Sequence, residues 1–329
     1  MKYLLLFLSL ILVSCSTKKP ETNSIEISFE RFDKLLKEGD IYEPYSVIAD
    51  YYSKHPAFTS LYTNKIIEVG DISDKNFNVR FQSFLTDQNI YHVINKVGEE
   101  FDDITSIELA TADALGNYKF WFPNKSIPQI YTYISGFNQS VVTGDNFVCI
   151  SLEKYLGKDE PYYDLLYPPV PKYQRARMIP ERIPLDILHA VAVMEYPFNA
   201  KKDNLLSRML YEARTTYFVK QMFPEVTDIL LWNFSKDQLI FCKNNEEQMW
   251  TFLIEHKLLF ETKDFTINQY INEAPFTKEF TKESPGRATV WIGYQIVESY
   301  MKRNNSLTLE QLMSENDFQL ILSESHYKP

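Results

Sequence analysis

Glycine is scarce in this chain, with nine glycines among 329 residues. Neither the G-x-G-x-x-G fingerprint nor a G-K-[ST] phosphate loop occurs. Dinucleotide-binding and P-loop folds need such glycines to bring the backbone close to phosphate groups. The scarcity therefore argues against a Rossmann or P-loop architecture.

Cysteine is almost as rare, with three residues in the whole chain. Cys149 and Cys242 each lie in an apolar stretch. This context favours two buried thiols over a disulfide bond. No Cys or His cluster has the spacing of a metal site.

The chain has fewer positive than negative side chains, with 34 Lys and Arg against 44 Asp and Glu, so its net charge is −10. This balance argues against nucleic acid as a partner. Hydrophobic residues make up 45% of the chain, which is enough to bury a substantial core. Residues 25–329 are therefore predicted to form a single domain.

The N-terminus carries a short apolar run, residues 4–13, behind Lys2. The run is too short to span a bilayer as a mature helix and is typical of a secretory signal peptide, residues 1–14. It ends at Leu12-Val13-Ser14-Cys15, which resembles a bacterial lipobox. Cleavage before Cys15 would leave its thiol and its new amine to be acylated, so the chain would be bound to a membrane through Cys15. The alternative is an ordinary signal peptide with an incidental cysteine. The polar residues 15–24 are predicted to be a flexible tether.

Hydrophobic spacing predicts a mainly helical α+β fold. A helical part is expected over 25–124, and a part with a sheet and core helices over 125–329. Strands are predicted at 129–135, 140–143 and 147–152, with a hairpin turn at 144–146, as a small antiparallel sheet. Helices are predicted over 104–120, 185–195, 205–222, 235–260 and 290–301. Gly293 inside the last of these predicts a close helix crossing.

The helix over 185–195 carries one histidine, His189, in an otherwise apolar sequence. A zinc hydrolase needs two histidines one turn apart on such a helix and a glutamate beside the first as general base. In that frame His189 is present, Ala190 takes the place of the base, and Val193 takes the place of the second ligand. Glu212 on the next helix suits a third ligand. The pattern predicts a zincin-like, metallopeptidase-like scaffold with a degenerate metal site.

Each of these residues also has a purely structural interpretation. A lone histidine in an apolar helix is usually a core residue with a satisfied hydrogen bond. Asp186, three residues before His189, could supply that bond on the same helix face. Glu212 could pair with Arg208 at i, i+4, which contributes about 0.2–0.5 kcal/mol.

Several motifs together carry a resemblance to a known family, over residues 15–329. They are the lipobox, Ile130-Tyr-Thr-Tyr-Ile-Ser-Gly136, Ile150-Ser-Leu-Glu-Lys-Tyr-Leu-Gly157, Arg177-Met178, Asn204-Leu-Leu, Pro275-Phe276, Ser284-Pro-Gly-Arg287, Trp291-Ile-Gly-Tyr-Gln-Ile-Val297, Tyr300-Met301 and Tyr327-Lys-Pro329. The chain resembles the gliding motility lipoprotein B (GldB) family of the Bacteroidota. The resemblance implies a cell-envelope lipoprotein that is required for gliding and linked to the secretion machinery that gliding shares. Surface-exported lipoproteins of that group carry acidic residues after the cysteine. Lys18 and Lys19 depart from this pattern, so a periplasm-facing anchor is expected.

That family is in turn similar to predicted zinc peptidases with a complete His-Glu-x-x-His helix and a downstream glutamate. Carried over, His189 and Glu212 match ligand positions, whereas Ala190 and Val193 do not. We therefore expect a non-catalytic pseudoenzyme without a cofactor, which acts with other envelope or motility proteins as a component or assembly factor. One alternative is a membrane-anchored, zinc-dependent peptidase or another hydrolase with an altered active site. Another is an aromatic-lined module that binds glycan or peptide.

Overall fold

A computed structural model describes residues 25–40 and 42–329. The predicted signal peptide, Cys15 and the tether lie outside these residues. Within the described part of the chain, no helix is long and apolar enough to cross a membrane. The predicted class, α+β with mainly helical content, is confirmed.

The part of the chain before residue 129 is mainly helical, as its apolar spacing predicts. A two-residue strand leads into it, and six helices follow: β1 (Glu30–Arg31), α1 (Phe32–Glu38), α2 (Pro44–Lys54), α3 (Pro56–Leu61), α4 (Phe77–Thr86), α5 (Gln88–Glu100) and α6 (Thr105–Trp121). A π-helical turn, Tyr62–Ile66, extends α3. Both α2 and α3 begin at a proline, whose fixed φ suits the first helical turn. The side chain of Asp87 caps α5, because it accepts hydrogen bonds from the N–H groups of Asn89 and Ile90.

The sheet has four strands in the order β1-β2-β4-β3. It contains both parallel and antiparallel pairs, so the prediction of an antiparallel sheet is wrong. The other three strands are β2 (Gln129–Tyr133), β3 (Val141–Gly144) and β4 (Phe147–Ser151). The hairpin β3–β4 is antiparallel, as the turn residues predict, but β2 pairs parallel with both β1 and β4. Every residue of β4 is buried, which is typical of a central strand, and β3 is left at the edge. Alternation within a strand identifies its faces but does not fix its neighbours.

The rest of the chain adds eleven helices, two of which are single turns. They are α7 (Tyr162–Leu165), α8 (Lys172–Arg175), α9 (Ile183–Glu195), α10 (Leu205–Met222), α11 (Asp228–Trp232), α12 (Lys236–Asn244), α13 (Glu246–Glu255), α14 (Asp264–Ile271), α15 (Ala288–Arg303), α16 (Leu309–Ser314) and α17 (Phe318–Ser325). The single helix predicted over 235–260 is wrong, because α12 ends and α13 begins around Asn245. The Asn245 side chain donates to the carbonyl of Phe241 at 2.8 Å, which competes with helix continuation.

The centre of the fold is the crossing of α10 and α15, beside which α9 lies. A Cβ atom on Gly293 would stand 2.9 Å from the carbonyl oxygen of Met209 and 3.0 Å from Cβ of Ala213. The predicted close crossing at Gly293 is therefore confirmed. Helix α9 contacts the helices α6 and α10 and the strands β3 and β4. Its histidine is thus placed where the helical layer meets the edge of the sheet.

Candidate functional site

A cleft runs along α9, and we call it the α9 cleft. It consists of two cavities of about 510 Å³ and 300 Å³, which share Arg177, His189 and Glu273 in their walls. The larger cavity is also lined by β3, at Val141, and by Lys154. Cavities of this volume accommodate a small molecule or a few residues of a peptide.

Asp186 lies in the wall of the larger cavity and is held by three donors. Its carboxylate accepts from Arg182 Nη2 at 2.6 Å, from Arg177 Nη2 at 3.1 Å and from the hydroxyl of Tyr155 at 3.0 Å. Burial opposes ionisation of this side chain, but the two guanidinium groups outweigh it and hold the pKa of Asp186 well below its ordinary value. The predicted hydrogen bond between Asp186 and His189 is absent because the carboxylate is turned to the arginines.

Arg182 connects this carboxylate to the neighbouring helix α11. Its Nη1 donates to the carbonyl oxygens of Leu230 at 2.6 Å and Leu231 at 3.2 Å. Arg182 is itself buried. The start of α9 and the end of α11 are therefore fixed to each other through one guanidinium group.

Glu212 projects from α10 into the smaller cavity and is paired with Arg287. Arg287 Nη2 donates to Glu212 Oε2 at 3.0 Å. Arg287 has a left-handed backbone, with φ of 61°, directly before α15. The preceding Gly286 passes so close to Ala274 that a Cβ atom would lie 2.3 Å from the Ala274 carbonyl oxygen. The Ser284-Pro-Gly-Arg287 motif thus fixes the direction from which this guanidinium group approaches Glu212.

The predicted pair of Glu212 with Arg208 is wrong. Arg208 donates instead to Asp203, at 2.6 and 2.7 Å, and approaches Asp264 at 2.6 Å. Both acidic residues are solvent-exposed, and the two contacts with Asp203 form a bidentate pair. Glu212 is left to a partner that is 75 residues away in sequence.

His189 is half-buried and lines both cavities. Within the described residues its ring nitrogens have no hydrogen-bond partner. Burial lowers the pKa of His189, and this effect outweighs the opposing attraction of Glu212. The ring is therefore neutral near pH 7 and faces the cleft with a free donor and a free acceptor. The interpretation of His189 as a core histidine with a satisfied bond does not fit this arrangement.

Ala190 and Val193 stand at the positions where a zinc hydrolase has its base and its second histidine. Ala190 lines the larger cavity, and Val193, one turn further along α9, is 36% exposed. Neither side chain has a metal-ligating atom. The two carboxylates nearest to His189 are each paired with arginine, and the described residues contain no group of three His, Cys, Asp or Glu placed to hold a metal ion. These side chains, as arranged, do not fit a three-ligand zinc site.

Sequence reasoning did not assign several charged or polar residues to the cleft, among them Arg177, Glu273, Tyr155 and Arg287. Arg177 donates through Nη1 to Glu273 and through Nη2 to Asp186, so it joins two carboxylates that are 87 residues apart. Tyr155 donates a hydrogen bond to Asp186, and Arg287 donates one to Glu212. Arg177, Tyr155 and Arg287 all belong to the motifs that carry the family resemblance. That coincidence is the signal that could have found them.

The comparison with protein families is decisive for the identity of the chain. The family described as gliding motility protein GldB matches residues 15–329. The chain belongs to the GldB family. No curated protein and no solved structure matches it.

The family match confirms the predicted resemblance. A member of the GldB family is a lipoprotein that is associated with gliding motility and with a membrane. The match covers every motif in the α9 cleft. Acylation at Cys15 lies outside the described residues and stays a prediction. The relation to zinc peptidases also stays a prediction.

Proposed function

We propose that this GldB-family lipoprotein acts in the gliding machinery as a non-catalytic component or assembly factor, and that the α9 cleft holds a partner. The observation that carries the proposal is the pairing of the acidic side chains in the cleft. Asp186, Glu212 and Glu273 are each held by an arginine. An enzyme that uses a carboxylate as a base or a metal ligand needs that carboxylate free at the reacting atom.

The arginines weaken the two chemical roles open to these carboxylates. A neighbouring guanidinium group stabilises the charged form and lowers basicity, as the lowered pKa of Asp186 illustrates. It also repels a divalent cation. Without a general base, hydrolysis would lose roughly 10²–10⁴-fold in rate. The fixed ion pairs instead suit recognition, because they present charges and donors at set positions.

We also propose a degenerate zincin-like scaffold. A β-hairpin precedes α9, the histidine of α9 faces a cleft, and a glutamate of the next helix, Glu212, faces the same cleft. Arg287 Nη2 donates to Glu212 Oε2, so a metal ion at Glu212 would have to compete with a guanidinium group. On this view the protein is a pseudoenzyme that retained the cleft and replaced the metal with an ion pair. We propose that it needs no cofactor.

The anchor completes the proposal. Acylated Cys15 would hold the domain at the periplasmic side of a membrane, on a polar tether of about ten residues that reaches at most ~35 Å when extended. The partners would then be other envelope or motility proteins within that reach. Replacing Cys15 with serine should abolish membrane retention and gliding together.

Complementation of gliding tests the non-catalytic role. In a gliding Bacteroidota strain that lacks its own GldB-family protein, the full chain would be supplied as wild type, as a His189→Asn, Glu212→Gln double variant, and as Lys154→Glu. The double variant removes the imidazole and the carboxylate that a zinc hydrolase would need but keeps the size of both side chains. It should still support colony spreading, at a reduced level because the Glu212–Arg287 ion pair is lost, whereas a hydrolase that used these groups would lose spreading entirely. Lys154→Glu reverses a charge in the cleft wall and should not support it. The matched control is Lys158→Glu, at an exposed lysine outside the cavity walls, which should spread normally.

Metal content provides the decisive check on the zinc-dependent alternative. The mature protein, dialysed against trace zinc, would be compared with a His189→Ala, Glu212→Ala variant by mass spectrometry. Near-zero metal in both is the expected result. If wild type held about one zinc ion per chain, and the variant lost both the zinc and the ability to restore gliding, the zinc-dependent alternative would replace the proposal.

A further inference from the structure

We propose that the α9 cleft binds an extended peptide segment, which adds to the sheet as a new strand beside β3 and places a carboxylate on Lys154. The inference rests on the proposed role of the cleft as a partner site and names the chemistry of the partner. Two features of the cleft that take no part in the ion pairs support this inference. One is the open edge of β3, and the other is an ammonium group without an acidic partner.

The hydrogen-bond pattern of the hairpin shows which groups of β3 face outward. Ser151 N–H donates to the Ser140 carbonyl at 2.9 Å, and Ser140 stands opposite Ser151 in the β3–β4 register. Hydrogen-bonded and non-bonded pairs alternate along an antiparallel ladder. Val142 and Gly144 therefore point their N–H and C=O groups towards β4. Those of Val141 and Thr143 point away from the sheet.

These outward groups are unpaired within residues 25–40 and 42–329. β3 pairs with β4 alone, and Val141 and Thr143 make no other backbone or side-chain hydrogen bond there. Val141 and the adjoining Ser140 line the larger cavity, so the edge of β3 begins in the wall of the cleft and continues to the exposed Thr143. A row of free donors and acceptors at two-residue spacing matches the backbone of an extended peptide. A sugar or a small planar ligand does not have this repeat.

Lys154 lies in the same wall, in the 3₁₀ turn Leu152–Tyr155 that follows β4. It is half-buried, and in the described part of the chain no carboxylate lies within ion-pair distance of it. Its Nζ stands 5.9 Å from the ring centre of Phe137. The cleft's carboxylates are already held by arginine, so Lys154 is a cation without an ion-pair partner in the cleft wall. A ligand that fits must bring a negative group to it.

Burial lowers the pKa of Lys154 and the charge of the adjacent Glu153 opposes this shift, but Glu153 forms no ion pair with Lys154 because its carboxylate is turned into the protein. Its carboxylate accepts from Ser135 N–H at 2.6 Å, Ser135 Oγ at 2.7 Å, Phe137 N–H at 3.1 Å and Ser151 Oγ at 2.5 Å. Glu153 is fully buried. Four donors leave it no capacity to approach the ammonium group on the cleft side.

The register also suggests the direction of the bound segment. Because Ser140 pairs with Ser151, Lys154 lies just beyond the first residue of β3. A peptide that runs antiparallel to β3 ends at that side. It would bring to Lys154 either its C-terminal carboxylate or an acidic side chain near its C-terminal end.

Binding of defined peptide pools to the full-length protein in mild detergent tests the proposal. Three pools of random octapeptides are used: one without Asp and Glu and with a free C-terminus, one identical but amidated, and one amidated with glutamate included. Bound peptides are quantified by mass spectrometry, and backbone protection over residues 140–144 is followed by hydrogen exchange. Carboxylate-bearing pools should be retained about tenfold better than the amidated pool without acids. Whether the free terminus or the glutamate gives the retention identifies the source of the carboxylate.

Two pairs of variants separate the contributions. Thr143→Pro removes an outward N–H that a peptide would use, and proline is tolerated at such an edge position; Thr143→Val keeps the N–H as control. Lys154→Gln removes the cation, with Lys158→Gln as control. Thr143→Pro should abolish retention and exchange protection, and Lys154→Gln should abolish the preference for carboxylates. Equal retention by each variant and its control, or no retention above the Thr143→Pro background, would overturn the inference.

The same samples keep this inference distinct from the proposed function. Bound peptides recovered intact agree with a non-catalytic cleft. Peptides that are retained through Thr143 but cleaved would support strand addition and overturn the non-catalytic role. Failure of peptide binding would leave the complementation and metal results standing on their own.

Discussion

Replacing Asp186 with asparagine should destabilise the protein strongly, because this carboxylate is the common acceptor of a buried network. Arg182, Arg177 and Tyr155 all donate to it, and its side chain is 7% exposed. Asparagine keeps the shape but removes the charge that compensates two guanidinium groups. Removal of one partner from a buried ion pair costs about 3–5 kcal/mol, and the retained shape suggests a loss of about 3 kcal/mol in the free energy of unfolding.

The effect should depend on pH in a defined direction. An unfolded aspartate titrates near pH ~3.9, whereas the pKa of folded Asp186 lies well below that value despite its burial, because of Arg182 and Arg177. The stabilisation is therefore fully present above about pH 3.9 and is lost as the pH falls through the lowered folded pKa. The difference between wild type and Asp186→Asn should shrink as the solution becomes strongly acidic.

Urea unfolding at pH 7 and at a series of acidic pH values measures both effects. Asp164→Asn is the matched control, since Asp164 also pairs with an arginine, Arg175, but is 69% exposed. Its change should be much smaller, as is usual for surface ion pairs. If Asp186→Asn lowered the free energy of unfolding no more than Asp164→Asn does, the arginine-held network would not be the stabilising feature argued above.

Three further predictions address the helix crossing, the histidine and the thiols. Gly293→Ala should destabilise the protein by about 1–3 kcal/mol, because the new Cβ meets the Met209 carbonyl and overpacking outweighs the gain in helix propensity; a raised melting temperature would contradict the close crossing. His189 should titrate by NMR below the ordinary value of about 6.5, since burial lowers its pKa; a midpoint above 7 would show that Glu212 dominates. Cys149 and Cys242 should react with a thiol reagent only after unfolding, because both are buried and burial raises the pKa of Cys242 to about 12; rapid labelling of the native protein would contradict this.

Local features of the fold were predictable from sequence because short-range patterns control them. The turn at 144–146 identified the hairpin, and Gly293 identified the helix crossing. Helix α10 begins after Asn204, whose side chain accepts from the Ser207 N–H, and asparagine is a favoured residue at this capping position. The two cysteines in apolar stretches are free and buried, as predicted.

The order of the strands depends on pairings that local patterns do not encode. The short strand β1 pairs with β2 although Glu30 and its partner Tyr131 lie 101 positions apart (131 − 30), and β2 pairs with β4 rather than with β3, which follows it in the chain. Alternation and β-branched residues say that a segment is a strand, but they leave its neighbours and its direction open. A parallel pair and an antiparallel hairpin therefore looked alike at the level of sequence.

The sequence by itself determined the residue types of the cleft. It showed one histidine on an apolar helix, an alanine and a valine where a zinc hydrolase needs a base and a ligand, and the motifs of the GldB family. The tertiary structure alone decided what neutralises the acidic side chains. Arg287 reaches Glu212 across 75 positions, and Arg177 reaches Glu273 across 96. Such ion pairs are set by the approach of distant helices, so the partner of each carboxylate became visible only in the folded chain.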